Sequence, residues 1–90
     1  MRLINRMNSN LPIILYSKEA DPNSIMLRNF LRTHSISFKE FNVGRDKEKF
    51  NEMINKSKQE TVPVTDVNGE IVIGFNELKL KYLLRIKDEE

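Results

Sequence analysis

The sequence predicts an α/β domain: one four-stranded mixed sheet flanked by helices, in the order β-α-β-α-β-β-α. Three observations carry this expectation. Apolar runs of strand length alternate with runs of helical period, Asn68-Gly69 stands between two β-branched runs, and 90 residues suit one small core. A strand, a helix and a second strand imply a parallel pair with a right-handed crossover. The closing hairpin adds antiparallel strands to the same sheet. The expected domain runs from 11 to 86, after a loose polar leader over residues 1–10 and before a fraying end at 87–90.

The first strand is Pro12-Ile13-Ile14-Leu15-Tyr16, a continuous apolar run whose lack of alternation suits burial on both faces. A helix follows, with Asp21 as N-cap and Pro22 at the first helical position, where a missing N–H costs nothing. Its expected apolar stripe is Ile25, Leu27, Phe30, Leu31 and His34. Ile36 to Val43 reads as a second strand whose imperfect alternation suits a sheet edge. Phe50, Met53 and Ile54 recur at helical spacing in a second, weaker helix that ends near Ser57.

Thr61 to Val67 and Glu70 to Ile73 then form a hairpin across Asn68-Gly69, since both turn residues must accept positive φ. Pro63 cannot donate to a ladder, so it belongs at a strand start or in a special peptide geometry. Asn76 caps the last helix, whose stripe is Leu80, Leu83 and Leu84, with Phe75 and Leu80 in staple positions around the cap.

Composition narrows function mainly by exclusion. There is no cysteine, which removes disulfides, thiolate catalysis, cysteine zinc sites and iron–sulfur ligation together. With a single histidine as well, no metal site is expected. Fifteen basic and thirteen acidic residues are interleaved, and the five Phe and two Tyr sit where a core uses them, so no nucleic-acid partner is expected. No apolar run approaches the ~20 residues of a membrane span. The run from Leu11 to Tyr16 is too short for a signal-peptide core, which makes the cytoplasm the default location.

Several motifs now align in order. Tyr16-Ser17-Lys18, Thr61-Val62-Pro63, Val67-Asn68-Gly69-Glu70 and Gly74-Phe75-Asn76-Glu77-Leu78-Lys79-Leu80 together resemble the glutaredoxin branch of the thioredoxin-like superfamily. The nearest resemblance is to the small bacterial glutaredoxin-like proteins of the YruB type. It covers nearly the whole chain and implies a thioredoxin-like fold with a cis proline at Pro63. In the family, Cys-Pro-x-Cys follows the Tyr-Ser motif. Here Asp21, Pro22, Asn23 and Ser24 occupy that place, and both cysteines are gone.

The resemblance further implies a groove for glutathione or a peptide. Lys18 matches a position that contacts the glutathione carboxylate, Gln59 lies near another such position, and the backbone of Val62, between Thr61 and Pro63, pairs with the peptide. Asn76, with the backbone of Gly74 and Phe75, holds the γ-glutamyl end. Two departures weaken this set: Asn23 replaces the usual aromatic and Ile73 the first of a frequent Gly-Gly pair.

Each residue also has a purely structural reading. Asp21 is either an electrostatic stand-in for a thiolate or a plain N-cap, and the Asp-Pro start favours the cap. Ser24 as a nucleophile needs a base. His34, ten residues further along the helix, is about 15 Å away and cannot serve. Ser24 is therefore expected to satisfy a first-turn N–H or to face water. Lys18 is otherwise a solvated charge, Pro63 a turn residue and Asn76 a cap.

Two functions remain. One is a redox-inactive module, without cofactor, that binds a partner protein or peptide beside Pro63. The other is a glutathione-binding protein, or a glutathione-dependent enzyme without its own thiol.

Overall fold

The computed structural model of the protein describes residues 12–86, so the expectations for residues 1–10 and 87–90 lie outside it. Strand β1 (Ile13–Ser17) is central. It pairs in parallel with β2 (Lys39–Asn42) and antiparallel with β3 (Val64–Val67), which pairs antiparallel with β4 (Glu70–Ile73). The sheet order β2-β1-β3-β4 puts β2 at an edge, as its mixed pattern predicts.

Helix α1 (Pro22–Thr33) joins β1 to β2, α2 (Lys47–Ser57) joins β2 to β3, and α3 (Glu77–Leu84) closes the chain. The fold is thioredoxin-like. Each helix starts on a side-chain cap: Asp21 for α1, Asp46 for α2 and Asn76 for α3 each accept from an N–H in the first turn. Asn68 (φ 53°) and Gly69 (φ 99°) make the hairpin turn, with the Gly69 N–H held by Asp66 Oδ1 at 2.7 Å.

β1 sorts its side chains by parity onto two cores. Ile13 and Leu15 join Leu27 and Leu31 of α1, Leu80 of α3, and Val67 and Val72 on one face. Phe75 packs against the same cluster, as a staple to Leu80 requires. Ile14 and Tyr16 lie on the other face with Val64, Ile71, and Phe50, Met53 and Ile54 of α2. Each fully buried aliphatic side chain contributes about 1.5–3 kcal/mol, so a domain this small depends on filling both faces.

Two expectations need correction. The second strand was expected from Ile36, but residues 35 and 36 are used in ending α1. Ser35 turns left-handed (φ 58°), its N–H reaches Arg32 O at 3.0 Å, and the Ile36 N–H reaches Leu31 O at 2.9 Å. The strand starts only at Lys39. In the stripe of α1, Leu27 and Leu31 are buried and Phe30 packs against them as expected, but the position one turn before Leu27 on that face is Ser24 rather than Ile25. Ile25 stays 39% exposed.

Candidate functional site

The parallel strands β1 and β2 end side by side, with Ser17 opposite Asn42. On the other side of β1, the pairing of Tyr16 with Val64 brings the end of β1 against Pro63. Pro63 O accepts the Gly74 N–H at 2.8 Å, which fixes the end of β4 at the same place. The loop 18–21, Val62-Pro63 and Gly74 thus share one end of the sheet, outside the carboxyl ends of its parallel strands, where open α/β sheets place ligands.

The turn into α1 is closed by its own side chains. Asp21 Oδ2 accepts the Ser24 N–H at 2.8 Å, and the Asp21 N–H donates to Lys18 O at 3.3 Å. Ser24 is fully buried, and its Oγ accepts the Lys18 N–H at 3.3 Å. This corrects the expectation for Ser24: it neither satisfies a first-turn N–H nor meets water, but holds the start of the loop. Lys18, Pro22 and Asn23 are exposed, and Asp21 is half-buried.

At the same end of the sheet, the Val62–Pro63 peptide is cis and Pro63 is fully buried. The Val62 backbone makes no hydrogen bond among the described residues. Thr61 Oγ1 donates to Gln59 Oε1 at 3.1 Å, so these two polar side chains bind each other on the approach to Val62. Asn76 Oδ1 is engaged with the Lys79 N–H at 3.1 Å, and the Phe75 ring meets Phe30 edge-on at 5.7 Å. Lys18, Val62, Pro63 and Gly74 therefore gather at the sheet end, while the side chains of Gln59, Thr61, Phe75 and Asn76 are used within the fold.

Two polar networks that support this end were not anticipated. Beneath the loop, Ser17 Oγ donates to Glu40 Oε2 at 2.6 Å, and Arg28 grips the same carboxylate through Nε (2.9 Å) and Nη2 (2.7 Å). Burial alone would raise the Glu40 carboxyl, but donation from Arg28 and Ser17 outweighs it and holds the group below the usual range. The available signal was Arg28 itself, a charge one turn after Ser24 on the buried side of α1.

On the opposite face, Tyr16 Oη donates to Glu52 Oε2, while Lys56 Nζ donates to Tyr16 Oη at 2.8 Å and to Asp66 Oδ2 at 2.7 Å. Burial raises the Tyr16 hydroxyl, assisted by Glu52. Hydrogen bonds from Tyr16 and then Lys49 lower the Glu52 carboxyl.

Among the described residues, the one group hydrogen-bonded to Ser24 Oγ is the Lys18 N–H. A serine needs a neighbouring base. The histidine, His34, caps the far end of α1 with its ring against Phe30 at 4.6 Å. Among the described residues, no three His, Asp or Glu side chains are grouped to hold a metal ion, and no helix is long and apolar enough to cross a membrane.

A family model described as Glutaredoxin matches residues 13–72, two thirds of the sequence. The chain belongs to the glutaredoxin family. It is 33% identical over 72 residues to an uncharacterized glutaredoxin-like 8.6 kDa protein in the rubredoxin operon of Clostridium pasteurianum, covering 80% of this chain and 96% of that one. Among solved structures it resembles a mutant of the thioredoxin-like protein BC3987, with a TM-score of 0.79 at 28% identity, over 83% of this chain and 96% of that one. The glutaredoxin of Archaeoglobus fulgidus superposes with a TM-score of 0.76 at 24% identity, over 81% and 85% of the two chains, a likeness of fold. This glutaredoxin-family chain is a member without cysteine.

Proposed function

We propose that this chain is a redox-inactive binding module that takes an extended segment of a partner protein along the groove beside Pro63. One observation carries the reading: the turn is closed on itself by Asp21 and Ser24, while the facing Val62 backbone is left without a partner among the described residues. An unpaired backbone at the end of a sheet suits strand-like pairing with a peptide. A carboxylate has no disulfide exchange to offer, and a buried serine hydroxyl forms no mixed disulfide. Asp21 favours a neutral or cationic group at the helix end over an anionic one.

The test is a selection of displayed peptides followed by titration of the best into isotope-labelled protein. Shifts centred on the amides of Lys18, Val62 and Gly74 support the reading. Peptides that bind and move only residues elsewhere contradict it.

A second reading, glutathione binding with or without an enzymatic step, draws support from the exposed Lys18 next to the same open backbone. Titration with glutathione separates the two. Shifts at Lys18, Val62 and Asn76 favour the second reading, and their absence at millimolar ligand removes it.

A further inference from the structure

Helix α3 carries large apolar side chains that no described residue covers. Leu78 and Tyr82, one turn apart on α3, are 80% and 81% exposed. Beside Tyr82 lies an open concavity of about 470 Å³ lined by Glu70, Tyr82, Leu83 and Arg85. Its acid and its base are both free: neither Glu70 nor Arg85 has a side-chain hydrogen bond or ion pair among the described residues. Tyr82 is thus flanked by opposite charges in one concavity beside the hairpin-turn end of β4.

We propose that this face binds a second copy of the chain as a twofold dimer. In such an interface the same patch meets itself, so each residue i that contacts j is matched by j contacting i. A patch carrying one free charge of each sign meets that requirement, with Arg85 of each copy facing Glu70 of the other. A partner of a single charge sign would leave one of the two desolvated without an opposite charge. Tyr82 and Arg85 are also residue types that dominate binding energy at interface centres.

The placement has a consequence for the groove. β4 runs from Glu70 at the hairpin turn to Ile73 beside Pro63, so the patch and the groove lie at opposite ends of the strand. The dimer therefore keeps both grooves open and offers a partner two sites, with the gain in avidity that linked sites bring. The dimer itself does not depend on what the grooves bind.

Light scattering and sedimentation across a dilution series test the proposal on the full chain. The apparent mass is expected to rise with concentration toward twice the monomer value. Arg85→Glu is expected to weaken association at least about ten-fold, as loss of charge pairing at an interface does. Adding Glu70→Arg to the same chain should restore it, because the swapped charges are again complementary. Tyr82→Ala, at an exposed position that the fold does not need, should also abolish the dimer. A single monomeric mass at every concentration overturns the proposal, leaving the face to a different protein. A dimer indifferent to Arg85→Glu and Tyr82→Ala, or not restored by the charge swap, overturns it equally.

Discussion

Asp21 stands at the start of α1, and its carboxylate is committed to the backbone. Its bond to the Ser24 N–H makes it a helix cap first. Asp21→Ala is therefore expected to cost about 1 kcal/mol in urea unfolding, with Asp21→Asn recovering most of it, because the cap needs an oxygen rather than a charge. Thr65 gives the opposite sign. Its Oγ1 is buried between β1 and β4 without a hydrogen-bond partner among the described residues. Thr65→Val removes that unmet group at nearly constant volume and is expected to raise stability by about 1 kcal/mol in the same measurement. Asp21 was legible in the sequence because caps are local. Ser24 was misread because its bond to Lys18 depends on how the loop folds back, and its burial depends on which face α1 turns to the sheet.

At the scale of elements, the helices and strands were legible where one segment carries its own period or turn chemistry. The cap at Asn76 and the Asn68-Gly69 turn are examples. The start of β2 was not, because the competing demand comes from the end of α1. The two networks escaped for a related reason: they join residues 10 to 40 positions apart. These networks fasten α1 and α2 to opposite faces of the sheet and give the fold an acid sensitivity. Glu40 and Glu52 are held below the ordinary glutamate range. Their contribution is whole above the unfolded-state pKa of about 4.3 and is lost as pH falls through the lower folded values. Urea midpoints are expected to decline below about pH 5, and the decline should be shallower in Glu40→Gln and Glu52→Gln variants. Parallel declines in wild type and variants would assign the acid sensitivity to other carboxylates.

In the molecule as a whole, the fold keeps the thioredoxin-like frame of the glutaredoxin family and carries no thiol. β1 still delivers the chain to a capped helix N-terminus, and Val62-Pro63 and Gly74 still face it. The frame was legible because its motifs recur in fixed order. The free state of the Val62 backbone and the internal use of Gln59, Thr61 and Asn76 were not, since both follow from hydrogen bonds that form only on folding. With the frame kept and the thiols absent, the proposed groove should work again once cysteines are supplied. Glutathione-dependent disulfide reduction, measured on wild type and on the Asp21→Cys, Ser24→Cys double variant, tests it most directly. No turnover is expected from wild type and clear turnover from the double variant. Turnover by wild type, or a folded but inactive double variant, would contradict it.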